Sequence, residues 1–168
     1  MLSAVVYIVE LIICYLLQHT VFSWLSISSI VPDLIVVLVV AVAYQKGKVA
    51  GIFIGIAGGL MLDLQFGGLI GVYALVYMFI GYFCGFLANY YIKNDTMLPL
   101  SMIAISEFVF LFYGYIVNVL IKGRLEFVKY FSKLMLPKIA YTAIVGIILF
   151  KIFDFIYYNL LMEADEEN

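Results

Sequence analysis

The sequence predicts an all-α, polytopic membrane protein with six transmembrane helices. Composition is the first ground: 67% of the residues are hydrophobic, 12% are charged, and the mean hydropathy is +1.17. A soluble domain is about half apolar and about a quarter charged, so this chain could not bury its apolar surface in water. The second ground is punctuation. Six apolar segments alternate with short polar hinges, and one span takes roughly 20 residues. The 168 residues therefore hold one transmembrane domain, residues 1–162, and a short acidic tail, residues 163–168.

The first segment covers Ser3 to Phe22 and ends in a polar-aromatic turn around Trp24. It carries no basic leader, and Glu10 interrupts it, so it is expected to be retained as a span and not cleaved as a signal. The second opens at Pro32, a residue suited to a first helical turn, and ends at the hinge Gln45-Lys46-Gly47-Lys48. The third covers Val49 to Leu62 and the fourth Gly68 to Ile92. The fifth runs from Pro99 to Ile121 and the sixth from Ile139 to Tyr158. The second and third are short, about 20 Å of helix against a hydrocarbon core of about 30 Å. Either they extend into flanking polar residues or they end partway, buried among neighbours.

Between the last two segments, Lys122, Arg124, Glu126, Lys129, Lys133 and Lys138 interleave with Leu125, Phe127, Val128, Tyr130, Phe131, Leu134 and Met135. That pattern predicts an amphipathic helix over Phe127 to Leu134 lying flat in the interface. Six spans place both termini on one side, together with Lys46, Lys48, Lys93 and Lys151. The five basic residues of the stretch fall on the other side, so basic counting alone favours termini outside. The early Lys46/Lys48 hinge favours termini inside, and that orientation is the one expected.

Several residues could carry function. Gly47, Gly51, Gly55 and Gly59 recur every four residues, Gly58 adjoins the last, and Gly81 and Gly85 repeat the spacing one segment later. Such stripes let helix backbones approach closely, either inside the bundle, the preferred reading, or against a partner. Asp33 starts the second segment, where the helix dipole favours a negative charge. Asp63 ends the third, where the dipole opposes it. Both lie at the membrane face of the basic stretch, which suggests a charge-paired cluster; the plainer alternatives are a helix cap for Asp33 and a solvated loop residue for Asp63. Glu10 and Glu107 are the acids deep in apolar runs. They are expected to face protein, at similar depth in the half nearest the termini, each within hydrogen-bond reach of a polar group and without a basic residue beside it.

Cys14 and Cys84 read as buried thiols, and two isolated cysteines with a single histidine, His19, do not build a zinc centre. No HExxH, GxSxG or phosphate-binding loop occurs. The chain reads as a non-enzyme without catalytic residues, cofactor or metal, and nothing in its charge points to nucleic acid.

The middle of the chain resembles the MreD family of bacterial rod shape-determining membrane proteins. The matching residues are Pro32-Asp33-Leu34, the hinge with Gly47, then Gly51, Gly55, Gly58-Gly59-Leu60, Asp63-Leu64, Gly68-Leu69-Ile70-Gly71-Val72-Tyr73-Ala74-Leu75 and Gly81-Tyr82. The resemblance implies a place in the cytoplasmic membrane within the cell-elongation (Rod) complex. It implies MreC as direct partner, with MreB, RodA and an elongation-specific class B penicillin-binding protein in the wider assembly. It also implies similarity to the six-helix substrate-binding S-components of energy-coupling-factor vitamin transporters. An S-component proper is the alternative function, though the first segment lacks the small-residue motif its docking would use. A proton-coupled transporter using Glu10 and Glu107 is a third.

Overall fold

A computed structural model describes residues 2–24, 30–66, 71–87, 97–117 and 127–157. Gly68 of the motif, Lys122, Arg124, Glu126 and the acidic tail lie outside them. The helices are α1 Leu2–His19, α2 Val21–Trp24, α3 Leu34–Lys46, α4 Lys48–Phe66, α5 Val72–Phe86, α6 Met97–Tyr115, α7 Phe127–Tyr130 and α8 Leu136–Ile156. A π-helical turn, Phe131–Met135, joins α7 to α8. Among the described residues the fold is all-α. Three stretches are long and apolar enough to cross a membrane: Lys48–Gln65, Met97–Tyr115 and Phe127–Ile156. Val5–His19, Leu34–Lys46 and Val72–Phe86 are shorter apolar helices.

Side-chain contacts fix the direction of each long helix. Asp33 meets Thr142 and Gln45 meets Asp154, both 109 positions apart, so α3 and α8 run parallel in register. Lys46 over the Tyr157 ring continues the same alignment. Gly51 faces Ala43 and Gly58 faces Ile35, so α4 returns antiparallel to α3. Gly51 against Gly81 and Gly59 against Ala74 make α5 antiparallel to α4. Cys84 beside Ser106, and Tyr73 beside Phe110, reverse the chain again into α6. Gln18 reaches the start of α3, so α1 runs up to where α3 begins. The six long helices thus alternate in direction, and α1 starts at the end of the bundle where α8 stops.

The short second segment stands at the centre. Every residue from Leu34 to Tyr44 is at most 1% exposed, and α3 packs against α1, α4, α5, α6 and α8. A helix apolar on all sides is one surrounded on all sides. Of the two possibilities for short segments, α3 takes burial and α4 takes extension, reaching Lys48 and Phe66. Large apolar side chains cover the outside: Val5, Ile8, Ile12 and Leu16 on α1, and Ile144, Ile148, Ile152 and Phe155 on α8, are exposed. An apolar rim around an apolar core suits lipid and not water.

Two expectations change. Pro32 does not open the second helix; Asp33 caps it and Leu34 is its first residue. The stretch from Phe127 is not a separate flat helix, because α7, the π-helical turn and α8 form one continuous rod to Ile156. Pro137 explains the turn. It lacks the N–H that would bond to Lys133, and its ring would crowd that carbonyl. The Leu136 N–H bonds instead to the Phe131 carbonyl, five residues back, and the helix widens without breaking.

Candidate functional site

The head of α3 is the polar centre of the molecule. A helix start leaves four backbone N–H groups without partners, and a buried start cannot give them to water. Here side chains from three other helices converge on the problem. Gln18 Oε1 on α1 accepts from Leu34 N at 2.9 Å and Ile35 N at 3.4 Å. Asp33 Oδ1 accepts from Val36 N at 3.2 Å, and the Asp33 carbonyl takes Val37 N. Thr142 Oγ1 on α8 accepts from Asp33 N at 3.1 Å. The second Asp33 oxygen accepts from the Tyr77 hydroxyl on α5 at 2.7 Å. Gln18, Asp33, Tyr77 and Thr142 are all buried. Asp33 is therefore the cap anticipated from its position, and also a tie between helices.

Beside it, the Glu107 carboxylate on α6 lies 3.3 Å from Lys138 Nζ on α8, with Glu107 0% and Lys138 19% exposed. Asp33 is within electrostatic range of both. This corrects the reading that no basic residue accompanies the deep acids. Lys138 stands one helical turn before Thr142, on the face of α8 turned to α3, so it leaves the surface count. It also corrects the depth. Glu107 sits by the head of α3, at the end of the bundle away from the chain termini. Glu10 is buried on α1, on one face with Tyr7, Leu11 and Cys14. Both acids face protein.

Asp63 belongs to a second arrangement. It is buried within α4, not solvated in a loop. Its carboxylate accepts from Gly71 N at 2.9 Å, Tyr73 N at 3.0 Å and Ala74 N at 3.1 Å. The dipole of its own helix opposes Asp63, and the opening turn of α5 more than offsets this. Gly71 takes φ +102, a left-handed conformation that delivers its N–H to the carboxylate. The Tyr73 ring then meets Phe110 at a tilt and Tyr113 edge-on, both on α6. The two acids do not form one cluster with the basic stretch: Lys138 pairs with Glu107, with Asp33 only in electrostatic range, and Asp63 clamps α5.

The glycine stripe packs inside the bundle, α4 against α5. A methyl on Gly51 would stand 2.6 Å from both the Ala43 Cβ and the Gly81 carbonyl oxygen. One on Gly55 would stand 2.7 Å from the Tyr77 carbonyl carbon, and one on Gly59 2.6 Å from the Tyr73 oxygen. Gly81 and Gly85 return the contact against Ile52 and Gly47. Gly58 faces Ile35 and Leu11 instead. Gly47 offers only its backbone to this seam, against Gly85. Nothing lies within 4 Å of where its side chain would be, and its φ of +88 makes it the reversal between α3 and α4.

Gln18, Tyr77, Lys138 and Thr142 were not singled out by sequence. Gln18 carried a usable signal, as a lone amide deep in an apolar run. Tyr77 and Thr142 carried none, since their type is ordinary in such helices.

A family model described as rod shape-determining protein MreD matches residues 1–161. The chain belongs to the MreD family. The match extends well beyond the motif between Pro32 and Gly85, and it does not favour the S-component alternative. No curated protein and no solved structure matches the chain. Membership makes this a shape-determining membrane protein of a family not known for enzymes. The geometry gives these segments a physical meaning: Pro32-Asp33-Leu34 is the capped head of α3, and Asp63 with Gly71-Val72-Tyr73-Ala74 is the clamp on α5.

Proposed function

We propose that the chain is a multi-pass, non-enzymatic protein of the bacterial cytoplasmic membrane that partners MreC in the Rod complex. Through MreC it regulates lateral peptidoglycan synthesis, alongside MreB, RodA and an elongation-specific class B penicillin-binding protein. The family match over residues 1–161 carries this reading. The chemistry is in keeping with it. Both oxygens of Asp33 and both of Asp63 are occupied by hydrogen bonds within the protein, as in a scaffold that holds its own shape. Alternating helices leave both termini on one side, read as the cytoplasm. With Lys138 turned into the bundle and paired with Glu107, Lys122, Arg124, Lys129 and Lys133 oppose Lys46, Lys48, Lys93 and Lys151, so the basic count no longer favours termini outside. Affinity purification of the tagged chain from native membranes tests the partnership. Enrichment of MreC is expected, and its absence under conditions that keep the chain folded would overturn it.

A further inference from the structure

Two exposed lysines, Lys133 and Lys151, bracket the outward face of the rod from Phe127 to Ile156. Every exposed residue between them is apolar: Leu134, Leu136, Ala140, Ile144, Ile147 and Ile148. The lysines are 18 positions apart, about five helical turns, so they share a face and stand about 27 Å apart along the axis. That is close to a hydrocarbon thickness of about 30 Å, and lysine stems can carry their charges to the headgroups at both ends. The neighbouring α6 has the same length. Met97–Tyr115 is 19 residues, about 28 Å, and it too turns apolar side chains outward at Met97, Ile105, Val109 and Phe112.

Thr142 is nine residues from each lysine, about 13 Å along the axis. Its hydroxyl accepts the Asp33 N–H, so the first turn of α3 lies at the same depth. From there α3 runs beside α8 until Gln45 meets Asp154, just past Lys151. We infer that the bilayer midplane passes through the head of α3, and that α3 is a half-membrane helix reaching only the face that holds the chain termini. The face between the lysines is then covered by lipid. Its apolar length fits one hydrocarbon core, and its two cations meet the phosphates of opposite leaflets. Backbone outside a helix is tolerated at mid-depth only where protein covers it. The chain ahead of α3 meets that condition, since Ile30, Pro32 and Asp33 are non-helical and buried. At the headgroup level water would serve the first N–H groups of α3; here Gln18 and Asp33 serve them. The inference rests on the membrane insertion proposed above.

Depth-dependent fluorescence quenching of the full chain tests it. The chain has one tryptophan, Trp24, so Trp24→Phe gives a dark background for single variants Leu136→Trp, Ile144→Trp and Ile148→Trp. All three positions are outward-facing and more than half exposed, so the new rings displace no packing. Each variant is placed in phosphatidylcholine vesicles brominated either near the headgroup or near the chain ends, and the two quenching values together give the depth. Leu136 and Ile148 are each six residues from Thr142, so both probes should read about 9 Å from the midplane, and the Ile144→Trp probe about 3 Å. A deepest reading at Ile148 would place the midplane halfway along α3 and overturn the inference in favour of a full crossing. A deepest reading at Leu136 would also overturn it, by placing the whole of α3 in one leaflet or beyond. Both of these leave membrane insertion intact. No quenching of any probe by either lipid overturns insertion, and the inference with it.

Discussion

Replacing Gly55 with alanine puts a single methyl into the seam between α4 and α5. The methyl would stand 2.7 Å from the carbonyl carbon of Tyr77, where carbon atoms in contact prefer about 3.5–4.0 Å. The obstacle is backbone, so no rotamer change relieves it, and the two helices must part by about 1 Å. Overpacking of this kind costs typically 1–3 kcal/mol. For a chain of this size that corresponds to a fall in Tm of roughly 2–12 °C. Gly114→Ala is the matched control: its methyl would meet nothing closer than the Tyr130 hydroxyl at 3.9 Å, and alanine favours the helix. Thermal unfolding in detergent should therefore show Gly55→Ala falling and Gly114→Ala holding or rising. Equal behaviour of the two would refute the argument that the seam is packed to backbone contact. Gly55→Leu should lose folded yield and MreC together. A stable Gly55→Leu protein without MreC would make the stripe a partner-binding face.

Three further outcomes are expected. Asp63→Asn replaces one acceptor oxygen and weakens charge-assisted bonds worth about 1.5–3 kcal/mol each, so the amides of Gly71, Tyr73 and Ala74 should exchange hydrogen faster; unchanged exchange would contradict the clamp. Lys138→Met leaves Glu107 buried without its ion-pair partner and should cost about 3–5 kcal/mol, while adding Glu107→Leu should recover most of the loss; a double variant as unstable as the single one would contradict the pairing. Cysteines placed at Gln45 and Ser132 should react with impermeant maleimide from opposite sides of the membrane, and labelling from one side would refute the alternating topology.

The fold was legible because periodicity and length are properties of each segment alone. The apolar segments, the hinge at Gly47 and the inward use of Gly51, Gly55 and Gly59 could all be read from spacing. The site was only half legible. Asp33 and Asp63 stood out as charges in apolar surroundings, but what each one holds depends on which helix packs beside it. Asp63 looked ill-placed on its own helix because the dipole it serves belongs to α5, eight residues later. Lys138 looked like one more cation in a basic stretch. Its separation from Lys133 is a matter of which face each occupies once Pro137 has widened the turn between them. A periodic reading of the stretch alone does not reveal that Lys138 faces the bundle while Lys133 faces out.

The polar groups at the head of α3 follow from the shortness of that helix. Thirteen residues from Leu34 to Lys46 make about 20 Å, so a helix at the centre of the bundle starts inside protein and not at its surface. Its first N–H groups must then be met by side chains, which calls for Gln18, Thr142 and the Asp33 cap. Burying the Asp33 side chain calls in turn for the Tyr77 hydroxyl on its second oxygen, because an unpartnered polar group is costly to bury. Lys138 lies within electrostatic range of Asp33 and, turned into the bundle, is itself paired with Glu107. Each residue answers a cost created by the one before it, and the sequence of costs passes through α1, α3, α5, α8 and α6. A substitution at any step should therefore loosen helices that it does not touch.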